Sequence, residues 1–508
     1  MKRSLLVEEE RFPVLGKTAR EDTLSVMKFY HLPKNFPEAV LREARSIRVG
    51  EIGKRKDLRK KFIFTCDPVT ARDYDDALSF EVDRKGNRIL GVHIADVEHY
   101  IKAGSAIDRE AYKRANSVYF CDRVIPMLPN ELCNGVCSLV PNEDRLTFSV
   151  FMTFNKQGEM IKREFAKSVI RSKARYTYEE VMAKIHARKD KLIMGINELA
   201  QQLRARRFAA GALDLETPEI EILLDDEGEM TGIANRAYDE SHQLVEECMV
   251  AANEAVAKEL WTNGIHILSR LHDKPDPDKL LMLRAELRGL GVKLGNIENQ
   301  KTLAQFLKSI KSHPLYSTIS VMILRSMKRA VYDDRTMGHY GLAKRYYAHF
   351  TSPIRRYADL TLHRQLAAYV AGKNAKVAPR SLAKWAEHTS AMEERAVEAE
   401  RALAEMKKYR LLMEQISSRQ LFEYDAIIVK CTPFGCFVEI PEISVSGLVH
   451  ISILSHRFVK FNASDQSLSV YGGRSWRIGD RLKVKVAKVD FESRRIDFMP
   501  VRRGAMRA

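Results

Sequence analysis

Four aspartates fall within ten residues in Cys66-Asp67-Pro-Val-Thr-Ala-Arg-Asp73-Tyr-Asp75-Asp76-Ala, directly after the strand-like run Phe62-Ile-Phe-Thr65. Carboxylates this close repel one another, and each raises its neighbour's pKa. A bound cation is the main way to hold such a cluster together. The box lacks the glycine, the closing glutamate and the regular spacing of an EF-hand calcium loop. A short loop with several Asp ligands suits Mg²⁺ or Mn²⁺, hard ions that prefer oxygen. Two such ions about 3.5–4 Å apart activate a water and neutralise the leaving oxygen in phosphodiester hydrolysis. The same spacing also fits a solvated acidic turn, since Asp is common in turns. The rest of the chain weighs against that reading. Its 84 Lys+Arg oppose 67 Asp+Glu, a net charge of +17, which suits a polyanionic partner, nucleic acid or an anionic membrane.

Two further constellations bear on a phosphate-rich substrate. Tyr346-Tyr-Ala-His-Phe350-Thr-Ser-Pro-Ile-Arg355-Arg356-Tyr357 interleaves aromatics with two arginines and leads into a helix from Ala358, with Ser352 and Pro353 placed as cap and first turn. An arginine at a helix start can clamp a phosphate; the same pattern also fits core aromatics with surface arginines. Ser117-Val-Tyr119-Phe, before the Pro126 and Pro129 loop, puts a tyrosine on a short strand. There it could stack on a base, or simply pack into a core.

These residues need a scaffold, and the patterning supplies an α+β one. Residues 1–61 read as an extension: an extended His31–Pro37 linker, a short helix over Glu38–Arg48 and a solvated basic run from Lys54 to Lys61. Ala77–Val82 and Ile89–Ala95 form a hairpin around a polar turn, and further strands follow at Thr147–Phe154 and Glu164–Ile170. After Tyr176 helices dominate: Tyr178–His186, Ile196–Ala209, Ser241–Trp261 and a long one over Ser381–Gln415. From about Leu421 the period returns to two. Short strands at Ala426–Val429, Cys436–Ile440, Gly447–Ile451, Leu482–Val489 and Arg495–Phe498 fit a small closed barrel of OB type. The expected division is 1–61 extension, 62–380 catalytic domain, 381–420 connecting helix and 421–503 barrel.

Composition narrows the class. The 508 residues are 45% hydrophobic and 30% charged, a soluble globular balance. The apolar pair Leu5-Leu6 soon meets Glu8-Glu9-Glu10, unlike a secretory leader, and no apolar run reaches membrane-spanning length. A cytoplasmic protein is expected. The seven cysteines, none at CxxC spacing, argue against a disulfide framework or zinc ribbon and are expected as buried reduced thiols. No disulfide-linked partner and no membrane partner are expected.

Taken together, the motifs resemble the RNase II/RNase R family of RNB exoribonucleases, closest to its RNase R branch. The resemblance spans about Leu32 to Ile496. It includes Asp67-Pro-x3-Arg-Asp73-Tyr-Asp75-Asp76, His93-Ile-Ala-Asp96-Val, Ser117-Val-Tyr119-Phe, Ile125-Pro-Met-Leu-Pro129, Cys137-Ser-Leu, Leu244-Val-Glu-Glu-Cys-Met249, His272-Asp-Lys-Pro275 and Ala348–Tyr357. It implies an RNB catalytic domain followed by an S1-type OB barrel, and processive 3′→5′ hydrolysis of single-stranded RNA to nucleoside 5′-monophosphates. By that resemblance Asp67, Asp73, Asp75 and Asp76 hold Mg²⁺ (or Mn²⁺), and Asp75, Asp76 and Arg355 are catalytic, with Arg355 steadying the scissile phosphate. Tyr119 stacks the 3′-terminal base, and Tyr178 and Glu246 recognise the RNA end. In the barrel, Thr432-Pro-Phe434-Gly-Cys-Phe437-Val and Gly447-Leu-Val-His450 resemble the S1 signature. Phe434, Phe437 and His450 then offer stacking surfaces to RNA. Family members usually carry two cold-shock domains ahead of the catalytic domain, whereas the segment preceding it here is short. A monomer is expected. The competing readings are a catalytically weak RNA-binding regulator on the same fold and an exonuclease acting on DNA.

Overall fold

The computed structural model describes residues 12–501 apart from 50–51, 216–219, 236, 293–294, 296–298, 314, 419–421 and 464–465. The Leu5–Glu10 segment and the expected boundary at Leu421 lie outside the described residues. A seven-stranded sheet carries the first part of the chain. Its strands are β1 (Lys56–Asp57), β2 (Phe64–Cys66), β3 (Asp76–Val82), β4 (Arg88–Ala95), β7 (Asp144–Phe154), β8 (Met160–Arg171) and β9 (Ala174–Tyr176), in the order β1-β8-β7-β4-β3-β2-β9. The small hairpin β5 (Val118–Tyr119) and β6 (Val124–Ile125) stands apart from it. The centre of the sheet is antiparallel, and the edge strands β1 and β9 run parallel to β8 and β2.

Both faces of the sheet are covered, which is why β7 is buried almost throughout instead of alternating. Leu90, Val92 and Ile94 join Phe148, Val150 and Met152 beneath the helices Tyr178–Ala187, Lys191–Ala209 and Glu240–Thr262. On the other face Ala77, Ala95 and Leu146 meet Ile101, Ile107 and Leu128. A hydrogen-bonded polar chain crosses the strands there: Ser79 Oγ to His93 Nε2 (2.9 Å), His93 Nδ1 to Ser149 Oγ (2.6 Å) and Ser149 Oγ to Ser168 Oγ (2.5 Å). Burial pushes His93 down to about 3, so this motif histidine is neutral and structural. A side chain at Gly91 would strike Ser79 Oγ at 2.3 Å.

The basic run from Lys54 to Lys61 is solvated only in part: Lys54, Lys56 and Lys60 are exposed. It contains β1 and the buried Leu58, and Arg55 is closed onto the fully buried Asp96 (2.7 Å), which Lys167 meets from the other side (2.5 Å). Its strand partner lies far along the chain, so no local period marks it. The stretch in which helices are expected to dominate also carries an antiparallel hairpin, Ile220–Leu224 with Met230–Asn235. Six cysteines are buried as expected, but Cys121 is exposed, at the turn between β5 and β6.

The helix Pro379–Ser417 runs 39 residues, about 58 Å at 1.5 Å per residue. Ala396, Ala399, Leu403 and Met406 pack on Val118, Phe120 and Ile125 of the β5–β6 hairpin, and Tyr409 and Leu412 enter the core of the barrel that follows. The helix therefore joins both halves. Five strands close the barrel: Tyr424–Thr432, Gly435–Ile440, Val445–His450, Arg481–Asp490 and Arg495–Pro500. Cys436, Val438 and Ile440 point inward. Gly447 is needed for closure, since a Cβ there would meet Ile496 O at 2.4 Å. Three further short strands, Val459–Asn462, Ser467–Val470 and Ser475–Trp476, form a separate small sheet that the sequence reading missed.

Candidate active site and nucleic-acid face

The aspartate loop joins two adjacent antiparallel strands, leaving β2 at Cys66 and entering β3 at Asp76. Its shape is fixed by short ties. Asp67 N donates to Tyr176 O (3.1 Å), Arg175 Nη2 to Pro68 O (2.7 Å) and Val69 O (2.9 Å), and Tyr74 N to Ser138 Oγ (3.1 Å), which itself donates to Arg72 O (2.8 Å). Ser138, from the Cys137-Ser-Leu motif, thus acts as a clamp on the loop. The carbonyl of Asp75 accepts from Ala95 N (2.9 Å), extending the β3–β4 ladder.

The arginine turn meets this loop from 279 residues away: Asp75 Oδ1 accepts from Ile354 N (2.9 Å), and Asp75 Oδ2 lies 3.7 Å from Arg355 Nε. Arg355 Nη2 donates to Ser352 Oγ (3.1 Å), leaving a half-exposed guanidinium facing the loop. Ser352 and Pro353 do not cap a helix. They belong to a tight turn, and the helix begins at Tyr357 with Arg356 as its N-cap. The buried Asp359 fixes that turn by accepting from Ser352 N (2.8 Å) and from Arg356 Nε and Nη2 (2.8 Å each). Helix capping failed as a reading because the turn is closed by this carboxylate, not by the Ser352 hydroxyl.

The electrostatics are those of crowded, desolvated carboxylates. Burial pushes the Asp75 carboxyl well up, against the pull of Arg355 and the Ile354 N–H. Burial raises Asp76 and Asp73 too, with Arg355 pulling both down. Asp67 is raised by burial and then by the facing Asp76, and its Oδ2 is buried without a hydrogen-bond partner. Desolvated carboxylates with an orphaned oxygen fit a bound cation, so the donor set suits a hard divalent metal. Among the described residues no three or more Asp, Glu, His or Cys side chains converge as a ready-made metal cage. Mg²⁺ needs no such cage, because it keeps several waters and takes one or two carboxylates plus substrate phosphate oxygens.

Two aromatic walls flank the loop. Tyr119, 41% exposed, lines a cavity of about 210 Å³ together with Arg355. Its hydroxyl end is pushed up by burial, drawn down by Arg355 and raised by Asp73 and Asp75. On the other side Tyr178 opens a helix through the Thr177–Glu180 capping box, and burial, Cys66, Asp76 and Asp67 raise its hydroxyl pKa. Its ring stacks on His242 at 3.9 Å and 12°. His242 is four residues before Glu246 on one helix face, an i,i+4 spacing that the sequence reading did not use. Glu246 accepts from Arg207 Nη2 (3.0 Å) and from the Tyr238 hydroxyl. Its neighbour Glu247 is buried under the same arginine, with a side chain 2% exposed against 33% for Glu246. Glu246 is therefore the accessible member of the pair.

Phe434, Phe437 and His450 occupy a different surface, on the barrel. Phe434 is 49% exposed in the turn before Gly435, and its ring meets Phe437 edge-on at 6.0 Å. Phe437 and His450 sit on the outward side of neighbouring strands, with Gly435 paired to His450 and Phe437 to Leu448. Gly435 has φ 148°, and a Cβ there would meet Val449 O at 2.3 Å, so the turn that presents Phe434 requires glycine.

Comparison with known proteins matches this architecture in order. Residues 55–372 match the RNB domain and residues 423–499 the S1 RNA binding domain. Ribonuclease R of Thermotoga maritima is 41% identical over 94% of this chain and 70% of its own length. The chain spans 60% to 70% of the length of the first curated relatives it matches. Mycoplasma genitalium RNase R, solved in complex with ribose-methylated single-stranded RNA, superposes with a TM-score of 0.87 at 27% identity, covering 96% of this chain and 78% of that one. A yeast pseudonuclease shares the fold at a TM-score of 0.74 and 20% identity, covering 88% of this chain and 57% of that one. The chain belongs to the RNB family of ribonuclease R-type 3′–5′ exoribonucleases.

Proposed function

We propose that this chain hydrolyses single-stranded RNA processively from its 3′ end, releasing nucleoside 5′-monophosphates, and does so as a monomer in cytoplasmic RNA turnover. The observation that carries the reading is Asp75. One buried carboxylate both anchors the arginine turn through Ile354 N–H and faces the Arg355 guanidinium. It thereby fixes the distance between the aspartate loop and the phosphate clamp. Asp67, Asp73, Asp75 and Asp76 would hold Mg²⁺, or Mn²⁺ in its place. When bound, the metal supplies Lewis-acid activation of a water and neutralises charge on the leaving oxygen. Arg355 steadies the scissile phosphate, Tyr119 receives the terminal base, and Tyr178 with Glu246 recognises the RNA end. In this reading residues 62–380 form the catalytic domain, 1–61 its extension and 381–420 the link to the RNA-holding barrel at 421–503. A catalytically weak regulator would tolerate loss of carboxylates from the loop, and none is lost here.

The test is Asp75→Asn, which keeps shape and removes charge. Hydrolysis should fall roughly 10²–10³-fold, the scale of losing one transition-state contact. RNA binding should persist, since it rests on basic and stacking groups elsewhere. Turnover near the unmodified rate would rule out this loop as the hydrolytic centre.

A further inference from the structure

Strand alternation sets the stage at β5. Val118 and Phe120 are buried against Ala396, Ala399, Leu403 and Met406 of the helix Pro379–Ser417, which turns Tyr119 the opposite way, into the cavity shared with Arg355. The backbone N–H groups of Ser117 and Tyr119 leave the strand on one edge. Ser117 N finds Arg355 O (3.0 Å), and two residues earlier Ala115 O accepts from Tyr357 N (2.8 Å). At Tyr119 the arginine turn has run out. Its N–H donates instead to Glu400 Oε1 at 2.7 Å, across 281 residues. Glu400 lines the same cavity as Tyr119 and Arg355. Two helical turns earlier, Glu393 lines it too, but is held by Arg270 in a two-pronged ion pair (2.5 and 3.0 Å). The two glutamates are therefore used differently: one is neutralised by an arginine, and the other completes a strand edge with a charge-assisted hydrogen bond.

We propose that Glu400 is a positioning residue for Tyr119, holding its main chain so that the ring receives the 3′-terminal base at a fixed distance from Arg355 and the aspartate loop. This rests on the reading of Tyr119 as the stacking platform. Through the same helix the platform is tied to the barrel, because Arg494 Nη2 donates to Glu405 (2.6 Å) and Lys408 Nζ to Ser444 O (2.8 Å).

The experiment is single-turnover excision of the terminal nucleotide by the full chain, on an ordinary RNA and on the same RNA whose last residue carries no base. Glu400→Ala should slow excision from ordinary RNA about tenfold, the scale of one hydrogen bond to a charged group. Glu400→Gln, which keeps an accepting oxygen, should stay within about threefold of the unmodified protein. Neither should alter the rate on the baseless end, where there is nothing to stack. Tyr119→Ala should reproduce the Glu400→Ala pattern. If Glu400→Ala slows both substrates equally, Glu400 is a general structural support and the proposal falls. If Tyr119→Ala slows ordinary RNA selectively and Glu400→Ala does not, the platform stands and the positioning role is wrong. If Tyr119→Ala changes nothing, the platform reading itself fails and takes the proposal with it.

Discussion

The aspartate loop and the outer face of the barrel, both proposed to meet a polyanion, are built by opposite means. The loop gathers charge in a desolvated place. Asp75 is held by a turn 279 residues away, and Asp67 keeps an unsatisfied buried oxygen. The barrel face gathers exposed rings from one local hairpin, with Phe434, Phe437 and His450 within seventeen residues. The first arrangement is costly unless a cation and a phosphate complete it; the second is complete without ligand. In the proposed reading chemistry belongs to the desolvated site and holding to the exposed one.

The sharpest way to break this contrast is Arg355→Lys. Lysine keeps the charge but loses the planar fork. If Arg355 acts on the transition state, kcat should fall roughly 10²-fold while Kd for RNA moves little. A loss confined to Kd would make Arg355 an ordinary backbone contact and erase the distinction between the two regions.

A second prediction separates their stabilities. Asp96 is fully buried; burial works to raise its pKa, but Lys167 and Arg55 hold it below the usual carboxylate range. Asp96→Asn leaves Arg55 without its carboxylate and Lys167 with Glu98 alone (2.5 Å), and should cost about 3 kcal/mol of stability in the sheet, read as a lower urea midpoint, with the barrel's own transition unmoved. The sign with pH follows. A depressed carboxyl stabilises above its unfolded pKa of about 3.9 and loses that contribution as pH falls through the folded value. The gap between the two proteins at pH 7 should therefore close below about pH 4. A gap independent of pH would show that the ion triad is not its source.

The smallest effect is expected at the barrel. Replacing Phe434 and Phe437 by Ala should weaken binding of long RNA by about 1–3 kcal/mol per stacked base lost. The salt slope should stay unchanged, because no phosphate contact is removed. Oligomers too short to reach the barrel should be cut at the unmodified rate. Equal losses on long and short RNA would make the rings props for the fold.

Legibility in the sequence followed the same divide. The five barrel strands, the Ala77–Ala95 hairpin and the long helix carry their own period and were readable within two or three residues. The aspartates were visible as a cluster because their residue types are crowded. What gives them geometry was not visible. Ser138, Asp359 and Glu400 act from 66, 7 and 281 residues away through one to three hydrogen bonds each, and a lone Ser, Asp or Glu leaves no periodic mark. Arg55 looked like one more solvated cation, because its partner Asp96 lies on another element. Strand β1, two residues long and paired in parallel to β8, was illegible for the same reason.

The central claim, metal-dependent hydrolysis beginning at the 3′ end, is tested most directly by digesting one single-stranded oligoribonucleotide labelled at either terminus, with and without Mg²⁺. With the metal, the 3′ label should appear at once as a mononucleotide, while the 5′ label passes to a short end product. Without it, both should stay intact. Release of the 5′ label first, internal fragments, or equal cleavage in the presence of a chelator would contradict the account.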